Sequence, residues 1–352
     1  MNAGAHITRR ALLATATLPL RSQSRPVPRL QAVPEAYEQV SIQRQEKEIA
    51  RLHHGATLNR PFVYPVIGPS GRGLTRMGHP GDPYGHSHHN SIWICYSSVN
   101  GVDFWSDHRT DGGRIVTKEV FDLIDDDARA GVITRSEWIA PQGKVLLNER
   151  RETWAYPLES GQWLLVIDLT LQAVSVDVVF EKASFGPIGV RMAKPLSAFF
   201  GDGVIRNSSG ASGEPAIFRK PAKWVDYSGS IANGVPEGLT LFDHPMNPGH
   251  PSPFHVRVDG WMGAMLSMDR AFTATHSQPL RVRYGVFVHS GAPTVAVLEK
   301  RWADFAKLEL HPPYGPPHSR AECENGGHKR FNVPDVFATP KACMDAVKPP
   351  LR

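Results

Sequence analysis

Three histidines, His86, His88 and His89, fall within four positions at the end of the segment Arg76-Met77-Gly78-His79-Pro80-Gly81-Asp82-Pro83-Tyr84-Gly85-His86-Ser87-His88-His89-Asn90. Imidazole titrates near neutral pH and ligates divalent transition metals, so this cluster suits proton transfer or metal binding. His86 and His88, two apart, would project together from an extended chain and form the candidate metal pair. His89 would then point elsewhere, as acid, base or donor to a substrate, and His88 can share that catalytic role. No carboxylate stands at a diagnostic ligand spacing, so a site with one divalent metal ion and a metal-free site both stay open. The plainer alternative is a histidine cluster packed against Trp93 with no ligand at all. Arg76 and Trp93, which bracket the segment, are substrate-binding candidates.

Two further segments could contribute. Lys223-Trp224-Val225-Asp226-Tyr227-Ser228-Gly229 combines an aromatic face, a carboxylate and a phenol. Sugars bind such sets by stacking C–H faces on Trp224 and bonding hydroxyls to Asp226 and Tyr227. The competing explanation is a strand end where Asp226 makes an Asx-type turn. From Asp243 to Arg257 the prolines stiffen a loop that would present His244, Asn247, His255 and Arg257. A structural Pro-rich crossover is as good an account of it. Glu149 and Arg191 lie in or beside strands, where charges are commonly paired; Glu149 is retained beside Asp226 as a second proton-transfer candidate, and Arg191 as a substrate contact.

These residues need a scaffold, and the chain of 352 residues supplies enough apolar material at 41% hydrophobic. With 31 Gly and 30 Pro spread throughout, it suits many short strands joined by turns and argues against a helical bundle. Alternation is clearest in Gln162–Ala173, where Trp163, Leu165, Ile167, Leu169, Leu171 and Ala173 share one face, and it continues into Val174–Phe180. Strands are also expected at Val40–Arg44, Glu48–His53, Phe62–Ile67, Arg114–Leu123, Gly131–Ile139, Lys144–Tyr156, Gly238–Phe242, Trp261–Ser267 and Leu280–His289. Asn100-Gly101 predicts a two-residue type I′ hairpin turn. Its register would set Val99 opposite Val102, Tyr96 opposite Trp105 and Trp93 opposite His108, leaving His108 roughly 13 Å from His89. One late helix is predicted after Pro293-Thr294, with Val295, Leu298, Trp302 and Phe305 as its apolar stripe.

The domain plan that follows is a leader at 1–25, a linker at 26–37, one large all-β domain at 38–310 and an irregular Pro/Gly-rich tail at 311–352. Arg9-Arg10 before Ala11-Leu12-Leu13 resembles a twin-arginine export signal, which would make the protein periplasmic or secreted. In the tail Cys323 and Cys343 could form a disulfide, while a zinc site with His328 has no recognised spacing. The net charge of +5 comes from scattered basic residues without interleaved aromatics, so no nucleic-acid partner is expected. No run of 18 apolar residues predicts a transmembrane segment. A P-loop, a dinucleotide glycine fingerprint, a nucleophile elbow and an HExxH helix are all missing.

Over about 38–290 the chain resembles the bacterial PmoA-like family, labelled "methane oxygenase PmoA". The resemblance rests on Asn59-Arg60-Pro61-Phe62-Val63-Tyr64-Pro65-Val66, Gly71 to Thr75, His86-Ser87-His88-His89-Asn90-Ser91-Ile92-Trp93 and Val99 to Trp105, together with Trp224 to Gly229 and His244 to Arg257. The family pattern reads Asp-His-Pro-His-His before the hairpin, whereas here Gly85 replaces the acid and Ser87 the proline; losing that acid would weaken a metal role for His86. The oxygenase label implies a membrane-embedded copper subunit, which a chain without transmembrane helices does not fit. The resemblance implies instead a large antiparallel β-sandwich, a supersandwich similar to galactose-mutarotase-like folds, with carbohydrate chemistry. The expected function is therefore an exported carbohydrate-active enzyme cleaving a glycoside by hydrolysis or elimination, acting on a small-molecule or oligosaccharide substrate. An aldose epimerase and a non-catalytic periplasmic sugar-binding module are the alternatives.

Overall fold

The computed structural model describes residues 27–79, 86–107 and 110–309. In chain order the strands begin with β1 (Leu30–Glu35), β2 (Gln39–Arg44), β3 (Lys47–His53), β4 (Phe62–Val66), β5 (Ile92–Ile94) and β6 (Arg114–Ile124). They continue with β7 (Ala130–Ile139), β8 (Val145–Pro157), β9 (Trp163–Ala173), β10 (Val178–Phe180), β11 (Ile188–Arg191) and β12 (Val204–Asn207). The last are β13 (Trp224–Ala232), β14 (Val235–Asp243), β15 (Phe254–Arg257), β16 (Trp261–Ala264), β17 (Phe272–Ala274) and β18 (Leu280–Ser290). A one-turn helix α1 (Glu214–Ile217) precedes the late helix α2 (Val295–Ala306).

Two eight-stranded antiparallel sheets make a β-sandwich, as the alternation predicts. The first runs β1-β2-β3-β4-β5-β11-β16-β15 and the second β12-β13-β14-β18-β9-β8-β7-β6. A single apolar core fills the space between them, with Ile42, Ile92, Ile94, Val190, Val256 and Met262 from the first sheet meeting Leu147, Leu165, Leu169, Tyr227, Leu241 and Val286 from the second. Among the described residues, no helix is long and apolar enough to cross a membrane.

Several expectations change. Residues 30–35, inside the stretch expected to be a linker, form β1, which pairs with β2 from Leu30↔Arg44 to Glu35↔Gln39. The strand expected to run on from β9 breaks at Val174, and β10 pairs with β17 in a separate two-stranded sheet. The Asn100-Gly101 turn forms with positive φ at both residues (48° and 76°) and a Val99↔Val102 bridge. Beyond it the predicted ladder fails, because the Phe104 N–H donates to Tyr96 O and both edges of β5 are already used. Trp93 lies opposite Phe62 on β4 and Gly189 on β11, not opposite His108, which is outside the described residues. The leader, the tail with Cys323 and Cys343, and Pro80–Gly85 also lie outside them.

The outer face of the second sheet carries a second, smaller apolar cluster. α2 closes over it with Leu298 and Phe305, against Trp154, Val166, Trp224, Phe242 and Phe287. Thr294 caps this helix, its side chain accepting from the Val297 N–H. Both faces of β9 are therefore covered, one by the core and one by α2, which is why Leu164 and Val166 are apolar at positions that alternation alone would leave to solvent.

The same outer face holds Asp226, mid-strand in β13 and fully buried. Its carboxylate accepts hydrogen bonds from Ser228 Oγ (2.7 Å), Thr240 Oγ1 (2.9 Å) and Arg206 Nη2, and its Oδ1 lies 3.0 Å from His289 Nε2. Burial alone would raise its pKa, but His289 and Arg206 outweigh burial and bring it below the ordinary carboxylate value. It makes no Asx turn, and every partner it has is structural. Replacing Asp226 with Ala is expected to cost about 3–5 kcal/mol by stranding its buried partners, measured as a fall in Tm. Ligand binding by the folded fraction should be unchanged, since the histidine cluster lies across the sandwich.

Candidate active site

The first sheet's outer face carries the site, and strand alternation puts it there. In Phe254-His255-Val256-Arg257 the apolar residues enter the core, so His255 and Arg257 face outward. Ile188-Gly189-Val190-Arg191 and Trp261-Met262-Gly263-Ala264 follow the same rule, turning Gly189, Arg191, Trp261 and Gly263 outward. Pairing then sets Arg257 opposite Trp261, Trp261 opposite Arg191, and Gly189 opposite Trp93. Gly189 makes room for Trp93: a Cβ there would come within 2.4 Å of the indole.

The histidines lie over this row. Ser91, just before β5, holds a positive φ of 57°, a strained turn for a non-glycine residue that redirects the chain from loop to strand. The Gly78 N–H donates to His89 O (2.6 Å), and a Cβ on Gly78 would strike His86 O at 2.2 Å, so the loop is packed closely on its neighbour. Arg60, 1% exposed, ties it down from the other side. Its Nη1 donates to His88 O (3.2 Å) and Asn90 Oδ1 (3.1 Å), and its Nη2 to Trp105 O (2.7 Å) and Asp107 Oδ1 (2.6 Å).

The result is a stack of rings. His89, 2% exposed, lies parallel to His86 (centroids 4.5 Å apart), Trp93 (5.0 Å) and Trp261 (5.4 Å). His88 meets it edge-on at 4.6 Å, and His255 meets Trp261 edge-on at 4.1 Å. A cavity of about 380 Å³ opens among His86, His88, His89, His255, Arg257 and Asp103, with Trp105, Trp261 and Phe185 as its aromatic walls and Ser97 and Ser106 at its edge. A second cavity of about 210 Å³, beneath α2, is lined mainly by apolar groups such as Tyr156, Phe242, Phe287 and Phe305 and holds none of these histidines.

Burial favours the neutral form of His88, His89 and His255. It is the largest influence on His88 and His255 and pulls both down to about 4; burial, with His88 and Arg191 nearby, also pushes His89 well below the ordinary imidazole value. His255 Nδ1 lies 3.0 Å from Ser184 O. A carbonyl only accepts, so Nδ1 carries the proton and Nε2 the lone pair. Beneath the histidines Asp259 sits 3.0 Å from Arg191 Nη1, 3.3 Å from Arg257 Nε and 3.2 Å from His86 Nδ1. Burial opposes its ionisation, but His86 and the two guanidiniums hold it far below the usual carboxylate range.

Of the expected site residues, the fold brings together His86, His88, His89, Trp93, Arg191, His255 and Arg257. Arg76 joins them through its backbone, donating to Arg191 O (3.1 Å) and accepting from the Ser91 N–H. The others are elsewhere, because the second sheet turns them away. Glu149 is in the sandwich interior, held by Trp138 Nε1 (2.8 Å) and Arg151 Nε (2.8 Å). Trp224 lies under α2 and donates to Glu299 Oε1 (2.9 Å). The Tyr227 hydroxyl accepts from the Ala198 N–H (3.0 Å) and bonds to Val258 O (3.0 Å), and burial raises its pKa to about 12. His244 packs on Phe305, and Asn247 donates to Asp243 and to Arg283 O. The Pro-rich stretch is thus a crossover for most of its length and a site only at its β15 end. Among the described residues no group of three or more His, Cys, Asp or Glu could hold a metal ion. His86 and His88 meet edge-on, 6.1 Å apart.

Arg60, Asp259, Trp105, Trp261, Asp103 and Phe185 belong to the site without having been expected there. Asp259 had a signal: Asp259-Gly260, with Gly260 at φ 94°, turns the β15–β16 hairpin.

Fold and site together define an antiparallel β-sandwich protein with a pocket of histidines and aromatic rings on one sheet's outer face. Residues 39–303 match a family of unknown function, DUF6807, and the chain belongs to that family. No curated protein matches it.

The neutral histidines make stability depend on pH. His88, His244 and His255 are lowered to about 4 in the folded protein, and His89 is lowered well below its ordinary value, against about 6.5 in the unfolded chain. Below about pH 6.5 the unfolded chain therefore takes up more protons, and stability falls until about pH 4. Thermal denaturation at stepped pH should show Tm dropping across that window. His244→Gln, away from the pocket, should flatten part of the drop; a Tm level from pH 7 to 4.5 would contradict this account.

Proposed function

We propose that this protein is an exported carbohydrate-active enzyme that cleaves a glycoside, with His255 as its general base. The observation that carries the reading is a neutral imidazole of fixed tautomer, lining a pocket beside Arg257 and between aromatic walls. Aromatic walls suit the C–H face of a sugar ring, and the imidazoles, Asp103 and the serines suit its hydroxyls.

Imidazole rather than carboxylate is the abundant proton acceptor here, because Asp259 is held by two arginines and His86. That favours elimination over hydrolysis by a carboxylate pair. His255 Nε2 takes a proton from a carbon next to a carbonyl, and the C–H electron pair becomes a C=C bond. The glycosidic C–O bond on the following carbon breaks, and the imidazolium returns its proton to the leaving oxygen. Arg257 stabilises the negative charge that develops on the carbonyl oxygen. With His88 and His89 close by, the same first step followed by reprotonation at carbon would give epimerisation.

Keto-glycosides and glycosiduronates followed by NMR test this. Elimination should give a vinylic proton signal together with release of the group β to the carbonyl, which is the aglycone of a 3-keto-glycoside and the O4-linked sugar of a glycosiduronate, and His255→Ala should slow it by about 10²–10⁴-fold. Binding without any change over hours would assign the protein to non-catalytic sugar binding. Since His255 acts as the neutral base, the rate should be level from pH 8 to about 5 and fall as pH drops through about 4. A midpoint near 6.5 would exclude His255 as the base.

A further inference from the structure

Phe185 and Phe218 flank the outer side of His255. Their ring centroids lie 5.4 Å and 4.7 Å from the imidazole. Phe185 is 40% exposed and Phe218 36%. With ring surface left open to solvent on either side of one pocket residue, the two phenylalanines present an apolar face beside the cavity mouth.

Their backbones are constrained. Gly186, immediately after Phe185, has φ 120°, and a Cβ there would come within 2.6 Å of Cys95 O. Arg219, immediately after Phe218, holds φ 62°, and its N–H donates to Phe254 O (2.8 Å). A left-handed conformation at a non-glycine residue is costly and persists where the surroundings enforce it. Phe185 also stacks on Trp261 at 6.1 Å and 29°, so it continues the aromatic wall of the pocket outward. Phe218 extends that surface past His255, outside the pocket lining.

We infer that Phe185 and Phe218 form an outer subsite that stacks on the apolar face of a second ring. It rests on the carbohydrate reading above and narrows its substrate class: the site takes a two-ring glycoside, either a disaccharide or an aryl glycoside, with the scissile oxygen near His255. A free monosaccharide would fill the inner pocket and leave both phenylalanines exposed.

Titration calorimetry with matched probes tests this. For glucose, galactose, xylose and glucuronic acid, the methyl glycoside, the phenyl glycoside and a disaccharide of the same glycone are compared. Where a glycone binds, a second ring should tighten Kd about tenfold over the methyl glycoside, the size expected for one or two aromatic contacts. The phenyl and disaccharide arms separate an aryl aglycone from a second sugar as the natural occupant. In Phe218→Ala, and more fully in Phe185→Ala/Phe218→Ala, that advantage should shrink toward onefold. If methyl, phenyl and disaccharide probes bind alike, or the advantage survives in the double variant, the outer subsite is wrong while the carbohydrate reading stands. If no glycone binds in any form, both fall together.

Discussion

A buried carboxylate organises the outer face of the first sheet. Asp259 sits on the turn between β15 and β16 and meets Arg257 on β15, Arg191 on β11 and His86 in the overlying loop. Burying one charge is expensive, and the buried Arg191–Asp259 pair is tolerable because each group meets its opposite charge. Without Asp259, Arg191 would keep its guanidinium, 0% exposed, beneath a layer of aromatic rings. The constraint thus fixes the relative positions of two strands and a loop, and the pocket is the space they leave.

Above that charge the rings set the chemistry. His89 between Trp93 and Trp261, and His255 against Trp261, lose their water to aromatic neighbours and so lose their protons. The folding cost of desolvated imidazoles and the availability of a bare ring nitrogen have the same cause. Ser184 O then selects which nitrogen of His255 is bare. Burial, tautomer and base strength are one arrangement.

The two outer faces of the sandwich divide the polar residues between them. On the second sheet, Asp226 gathers Ser228, Thr240, Arg206 and His289 around its carboxylate, and Arg206 also donates to Pro293 O (3.1 Å) in the segment leading into α2. Arg283 likewise bridges Asp168 and the chain after α2 through Leu308 O (2.7 Å). Residues with the same chemistry thus serve packing on one face and line an open cavity on the other. What separates them is the helix, which covers one sheet and leaves the other free.

Much of the architecture was legible from residue order alone. The period-two pattern of β9, the positive-φ pair at Asn100-Gly101 and the Pro293-Thr294 start of α2 are local signals, because side-chain direction, turn geometry and capping depend on adjacent residues. The histidine cluster was equally visible, whereas Phe254–Arg257, expected as the end of a Pro-rich loop, forms β15. Partnership was not. Asp226 and Asp259 are both acids beside turn-forming or aromatic residues, and nothing nearby in sequence says that one meets His289 across two strands while the other meets Arg191 from a strand 68 residues away. The predicted hairpin ladder failed for the same reason, since β4 and β11 compete for the edges of β5. Alternation determined which residues leave the core; strand order and register, set by pairing between distant segments, decided which of them meet.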